Sequence, residues 1–301
     1  MCPPASFLET ARALLSQPTA PFFEKAVRDE ISKQLAALPH VSIKQDAFGN
    51  LIALYQRGPA TPRFAFAAHM DHPAYVRECT DQPALFLGGV PEAYRLKQPP
   101  TRDFGSFLMW DLPAFELREN HIYSRACDDL IGCAAIVSMF MELEASNAEA
   151  AVYGLFTRAE EVGFVGAIQL AQSRQLPENV TIISLETSSE RGGTCKMGEG
   201  AIIRVGDRTS IFDSATTALF VRWATEVHIP FQRCLMSGGT CEATAYQLYG
   251  YRTGALCVAL GNYHNCGPGE QIAPEFVSLR DAEAMTALCI TAAKATGELL
   301  A

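Results

Sequence analysis

Histidines and carboxylates stand at the ends of apolar runs in five places. His69 and Asp71 follow the run 64–68, Asp128 and Asp129 precede the run 130–144, Glu160 and Glu161 follow 151–157, Glu186 follows 180–185, and His264 follows 254–260. Imidazole and carboxylate are ligands of zinc-like divalent metals. His69 and Asp71 are two apart, so in extended chain they point the same way, and Asp71 is placed to accept the second imidazole N–H and fix the metal-binding tautomer. The adjacent Asp128 and Asp129 are costly to bury unless a cation compensates, and a carboxylate shared by two metals would do so. Of the neighbours Glu160 and Glu161, one can ligate while the other faces a water as general base. A metal lowers the pKa of such a water towards ~7, and a glutamate within reach takes its proton. The chemistry indicated is metal-assisted hydrolysis.

The elements that must position these groups follow from periodicity. Helices are expected over 5–16 and 22–37, separated by the breaker 17–21, then strands over 41–45 and 51–55 around a turn at 46–50. The run 64–68 is short and nearly all apolar, as in a strand buried on both faces of a parallel sheet. Between 73 and 120 only short apolar pieces occur, among Pro, Gly and charged residues, which suits a small β-rich insert. Further on come helix 130–144, strand 151–157, helix 164–173, strand 180–185, helices 214–226 and 241–248, strand 254–260 and a closing helix 279–298. Alternating strands and helices predict an α/β fold: a three-layer α/β/α sandwich on a mostly parallel central sheet. The expected division is a catalytic body of 1–72 and 121–301 around an insert of 73–120. Ligands of such sheets gather beyond the carboxyl ends of the strands, where four of the positions fall, and Asp128-Asp129 falls where an extended segment turns into helix 130–144.

The chain has 301 residues, 49% apolar and 19% charged, with a net charge of −9. Acidity argues against nucleic acid or an anionic membrane as partner, since both require a basic face. The N-terminal residues show neither a basic n-region nor an apolar h-region, and no run approaches a membrane span, so a cytoplasmic protein is expected. None of the ten cysteines forms a C-x-x-C pair. Several lie in apolar runs, and reduced, buried thiols are expected. A serine hydrolase is disfavoured by the lack of Gly-x-Ser-x-Gly.

Five segments, Asp46-Ala-Phe-Gly-Asn-Leu-Ile-Ala53, Ala67-Ala-His-Met-Asp71, Cys127-Asp-Asp-Leu-Ile-Gly-Cys133, Arg158-Ala-Glu-Glu-Val-Gly163 and Ser237-Gly-Gly-Thr240, together resemble the M42 (glutamyl aminopeptidase/cellulase-M-like) metallopeptidases. The wider clan holds the M28 aminopeptidases and the M20 carboxypeptidases and deacylases. The resemblance implies two divalent metal ions per chain, read as zinc with cobalt or manganese as alternatives. It implies that His69 and Glu186 bind one and Glu161 and His264 the other, with Asp128 bridging through a cis peptide to Asp129. Glu160 would be the general base, Asp71 would orient His69, and the pair of metals would share a hydroxide nucleophile. Three features depart from the M42 pattern. Glu186 stands where an aspartate is usual, as in the M20 branch. Tyr263-His264-Asn265 replaces Tyr-Ile-His. The 59 positions from His69 to Asp128 are fewer than a full β lobe needs. That lobe helps to build hollow assemblies in the family, so a homo-oligomer stays an open expectation.

The reading is therefore a two-metal aminopeptidase acting on a peptide or small amide. An M20-like dipeptidase, carboxypeptidase or N-acyl amino acid deacylase is the first alternative, for which Glu186 speaks, and a catalytically silent metal-binding relative is the second. His72 would point away from the cluster. Cys241 reads as a packing residue. Arg191 is either solvated or meets a substrate carboxylate, and Ser237-Gly-Gly-Thr240 is either a plain turn or part of the pocket wall.

Overall fold

The structure is a computed structural model, and it describes residues 6–77, 83–189 and 195–295. Fifteen strands occur among these residues: β1 Val41–Gln45, β2 Leu51–Gln56, β3 Phe64–His69, β4 Ala74–Val76, β5 Leu85–Leu87, β6 Arg102–Asp103, β7 Phe107–Met109, β8 Glu116–Arg118, β9 His121–Ser124, β10 Ala151–Thr157, β11 Thr181–Ser189, β12 Ala201–Gly206, β13 Phe231–Leu235, β14 Arg252–Leu260 and β15 Glu275–Ser278. The helices are α1 Phe7–Leu15, α2 Lys25–Leu35, α3 Glu92–Lys97, α4 Leu130–Ala145, α5 Val165–Ser173, α6 Ser214–Glu226, α7 Glu242–Leu248 and α8 Leu279–Lys294. None is long and apolar enough to cross a membrane.

The central sheet has eight strands in the order β1-β2-β10-β3-β11-β14-β12-β13. Its middle, β10-β3-β11-β14, is parallel, while β1, β2 and the β12–β14 junction are antiparallel. Alternation along β3 sends Phe66 and Ala68 into one core and Ala65 and Ala67 into another. The first core is closed by α1, α2, α4, α6 and α8, the second by α5 and α7. A strand buried on both faces needs apolar residues at every position, which is how 64–68 reads; the three-layer expectation holds. Helix α4 carries almost no polar face because it lies inside the first core, from Leu130 to Leu143. It passes so close to the sheet that a Cβ on Gly154 of β10 would lie 2.6 Å from Ile136 Cγ2.

Three strands were not expected from the sequence: β12, β13 and β15. The first two extend the sheet beyond β14, and β15 pairs with β9 in a separate three-stranded sheet with β8. Strands β4 to β7 form a small four-stranded antiparallel sheet, joined by the short helix α3. The expectation of reduced cysteines is corrected at one pair. Cys195 and Cys234, 39 residues apart, are joined as a disulfide because the segment before β12 runs beside β13. Cys127, Cys133, Cys241, Cys257 and Cys289 are free and buried, Cys266 is buried, and Cys2 and Cys79 lie outside the described residues.

One loop, 158–164, bears the paired glutamates and is held from three distant segments. Ala159 and Phe164 have φ of 53° and 58°, a left-handed conformation that non-glycine residues adopt only when their surroundings enforce it. Asp46 gathers the amides of Phe48, Gly49 and Asn50 on Oδ1 and the Asn50 side-chain amide on Oδ2. So fixed, Asn50 accepts from Arg158 N at 3.0 Å and donates to Gly166 O at 3.0 Å. The buried Glu24 accepts from Arg158 Nε at 2.6 Å and Ala159 N at 3.1 Å. Asp71 accepts from Glu160 N at 2.9 Å and Glu161 N at 3.2 Å. Replacing Asn50 by Ala strands two buried backbone groups, at about 1–3 kcal/mol each. Asn50→Ala is expected to lower the unfolding free energy by about 2–4 kcal/mol, read as a fall in the urea midpoint at unchanged m-value.

Candidate metal centre

Strand register brings the ligand-type residues level with one another. His69 is the last residue of β3 and pairs with Thr157 of β10, whose exit leads to Glu160 and Glu161. Strand β11 pairs with β3 up to Ser184 opposite Ala67, and continuing that register by two residues sets Glu186 level with His69. Glu186 is thus inside β11, which runs on to Ser189, rather than at a strand end as the sequence suggested. Asp128 precedes α4 and is joined to Asp129 by a cis peptide, and Asp129 caps α4 by accepting from Gly132 N at 3.1 Å. His264 sits on a turn after β14.

All seven expected residues come together. His69, Asp128 and Glu186 form one group whose ligand atoms lie within 4.8 Å of each other, and Asp128, Glu161 and His264 form a second. Asp128 belongs to both: Oδ1 is 3.3 Å from His69 Nε2 and Oδ2 is 3.6 Å from His264 Nε2. His264 Nε2 is 3.2 Å from Glu161 Oε2. Two ligands of one tetrahedral zinc, each about 2.0–2.1 Å from it, are themselves about 3.3 Å apart. These separations therefore match the edges of two coordination shells sharing a carboxylate. Asp128 Oδ1, Glu161 Oε1 and Glu186 Oε1 are buried acceptors without a hydrogen-bond donor, the position a cation fills. Glu160 belongs to a third group, with His69 and Glu161. Its Oε2 is 3.9 Å from His69 Nε2, in keeping with a group beside the shells.

Electrostatics agree with that geometry. Burial pushes the Glu186 carboxyl up to about 8 and holds that of Glu160 well above the usual carboxylate range, against the pull of His69 in both cases. Burial works against a charged His69, yet Glu160, Asp128 and Asp71 outweigh it and raise its pKa well above the ordinary histidine value. Without divalent cations the cluster must hold extra protons; with them it can ionise.

The supporting residues refine the expectations. His69 Nδ1 lies 3.1 Å from the backbone carbonyl of Asp71 but 3.6 Å from its carboxylate, so the carbonyl is the better tautomer-fixing partner. The Asp71 carboxylate holds the Glu160–Glu161 amides instead. His72 does point away from the cluster, and bridges Asp128 O at 2.9 Å and Asn265 Oδ1 at 3.1 Å. Glu275, which the sequence reading passed over, accepts from Cys127 N, Asp128 N and His264 N at 2.8, 3.1 and 2.8 Å. Its signal was the acid in an otherwise apolar run just before the closing helix. Gly89 lets the small antiparallel sheet approach: a Cβ there would lie 2.9 Å from His264 Nδ1.

Above the cluster is a cavity of about 340 Å³. Its walls include Glu160, Arg204, Tyr263 and Ser237-Gly-Gly-Thr240, so that motif lines the pocket. Arg204, on the unforeseen β12, is the one arginine or lysine among the described residues of this lining. Cys241 is buried beside Phe212 and Ala255 with its thiol pKa raised, as a packing residue should be. Arg191 lies outside the described residues.

Comparison with known proteins agrees with the site. The sequence profile of one family, described as M42 glutamyl aminopeptidase, matches residues 102–288. A protein of Acetivibrio thermocellus, provisionally named an aminopeptidase, is 28% identical over 292 residues, covering 80% of this chain and 87% of its own. Among solved structures, a Pyrococcus horikoshii TET1 peptidase superposes with a TM-score of 0.78 at 22% identity, covering 96% of this chain and 99% of that one. A TET aminopeptidase from a Thaumarchaeota archaeon gives 0.80 at 19% identity, covering 96% and 97%. At these identities the structural likeness speaks for the fold. The profile, however, spans more than half of the 301 residues and carries both loops of paired acids, and the chain belongs to the M42 glutamyl aminopeptidase family as a metallo-aminopeptidase.

Proposed function

We propose that this aminopeptidase works with two divalent cations, read as zinc: His69 and Glu186 on one, Glu161 and His264 on the other, Asp128 on both. The observation that carries this reading is the pair of ligand groups overlapping at a single buried carboxylate. Bound there, the cations would polarise the scissile carbonyl and acidify water. Glu160 takes the proton of the attacking water as the new C–O bond forms, and returns it to the departing amine nitrogen as the C–N bond breaks. Asp71, through the amides of Glu160 and Glu161, keeps the base facing the cavity while its neighbour faces the ligand cluster.

Arg204 supports an acidic N-terminal residue as substrate. It is 3% exposed; among the described residues its Nε has no hydrogen-bond partner and Nη1 meets Ser188 Oγ at 3.4 Å, with Glu186 and Asp207 as the nearby carboxylates. A buried guanidinium with its Nε donor unused is suited to a carboxylate side chain. The same reading takes the small antiparallel sheet as part of an insert (73–120) within the catalytic body (1–72 and 121–301), and the protein as intracellular. Homo-oligomers are proposed by analogy with the Pyrococcus horikoshii TET1 peptidase, which can assemble into a tetrahedron or a large octahedral shell. With the family match, the M20-type and catalytically silent alternatives lose their support.

Aminoacyl-p-nitroanilides compared with N-acetyl amino acids test the reaction; cleavage of blocked amines alone would overturn it. Glu160→Gln is expected to lower kcat by roughly 10²–10⁴-fold with metals retained, and unchanged turnover would remove Glu160 from its role. Asp128→Ala is expected to lose both metals in elemental analysis, because the shared ligand disappears from each group. Arg204→Met is expected to lower kcat/KM for glutamyl substrates by roughly 10–100-fold relative to alanyl ones, checked on protein shown to hold its metals.

A further inference from the structure

The two nitrogens of the His264 ring face different surroundings. Nε2 is turned to Asp128 and Glu161, at 3.6 and 3.2 Å. Nδ1 is buried and has no hydrogen-bond partner among the described residues. A metal-binding imidazole is ordinarily oriented by a hydrogen bond at its other nitrogen. What stands against that edge here is Gly89, where a Cβ would lie 2.9 Å from Nδ1 and 3.0 Å from Cε1. Heavy-atom contacts settle near 3.5 Å, so any side chain at 89 would push the ring by about 0.5 Å. The backbone of His264 is fixed, its N–H donating to Glu275 Oε1 at 2.8 Å. The ring is therefore the part that yields, and Cε1 carries the adjoining Nε2 with it.

Gly89 is itself held in place from two sides. Its neighbour Gly88 has a φ of 125° and lies so near Pro73 that a Cβ would come within 2.6 Å of Pro73 Cβ. Pro73 follows His72, which bonds the Asp128 carbonyl at 2.9 Å. On the other side, α3 and its flanks grip the chain beyond His264. Val90 and Trp110 pack with Cys266 and Ile272 in one buried cluster. Tyr94 Oη donates to Gly267 O at 3.3 Å, Ile272 N donates to Gln98 Oε1 at 3.3 Å, and Lys97 pairs with Glu270. The small antiparallel sheet, α3 and the turn bearing His264 thus form one packed unit. His69 and Glu186 stand instead on β3 and β11, whose spacing the central sheet sets.

We propose that Gly89 is a positioning residue for the cation on Glu161 and His264. By seating the small sheet against the Nδ1 edge, it puts packing where a hydrogen bond would otherwise orient the imidazole, and so fixes Nε2. Metal–ligand distances tolerate only about ±0.2 Å, so a ring shift of about 0.5 Å weakens this cation. The cation on His69 and Glu186 keeps its affinity, because its ligands belong to another part of the fold. The inference rests on the two-cation reading above.

The test is equilibrium dialysis of the full chain against graded zinc, with zinc per chain read by elemental analysis and folding checked by melting temperature. Wild type is expected to take two ions. Gly89→Ala is expected to hold one at wild-type affinity and the other roughly 10–100-fold more weakly. In a His264→Ala background, adding Gly89→Ala is expected to change nothing further. Gly105→Ala, in the same small sheet but with nothing within 4 Å of the added Cβ, serves as control and is expected to keep both ions. Two ions at wild-type affinity in Gly89→Ala overturn the proposal, as does an equal loss in Gly105→Ala, which marks general loosening of the sheet. Should Gly89→Ala fail to fold, Tyr94→Phe combined with Gln98→Ala loosens the same unit without a clash. That pair is expected to weaken one ion at least about threefold, and unchanged affinities overturn the proposal. A wild type that takes fewer than two ions overturns the two-cation reading itself.

Discussion

Four carboxylates and two imidazoles share a few ångströms at the edge of a buried sheet, and like charges so close in a low-dielectric setting cannot all ionise unaided. Bound metal would resolve that conflict, and the rest of the site is built to hold the ligand cluster together. Asp128 faces both groups with separate oxygens, so its backbone must be fixed on each side. Glu275 binds the amides of Cys127 and Asp128, His72 binds the Asp128 carbonyl, and Asp129 is tied to the first turn of α4.

The two ligand groups differ in how they are built. His69 and Glu186 belong to adjacent parallel strands, whose spacing the sheet dictates. Glu161 and His264 belong to turns with left-handed backbones nearby, whose geometry depends on side chains from elsewhere. Side chains from elsewhere hold both turns: Glu24, Asn50 and Asp71 on one, Asn265 and Glu275 on the other, where Gly89 also makes its close approach.

Much of this was legible in the sequence because it rests on local pattern. An all-apolar run such as 64–68, short and bounded by Pro62, suits a strand with two covered faces, and an acid or histidine straight after it falls at the carboxyl edge. Less legible were features that depend on pairing. Strands β12 and β13 extend the sheet through long-range pairing, and Arg204 came into view only with the first of them. The helix periodicity of 279–298 hid β15 immediately before it. Asp71 was singled out from its spacing to His69, but spacing alone could not tell its carbonyl from its carboxylate, and the two have different partners.

The closures around the paired glutamates reach far along the chain. Arg158 meets Glu24 across 134 residues and Asn50 across 108, and Glu160 meets Asp71 across 89. Contacts at such separation form late, after the entropy of closing large loops has been overcome. The anchors lie between residues 24 and 160 and straddle the midpoint of the polypeptide, so neither its N-terminal nor its C-terminal half contains all of them. The placement of Glu160 beside the ligand cluster is therefore a property of the completed topology, and its appearance during refolding would mark the last stage of assembly rather than the first.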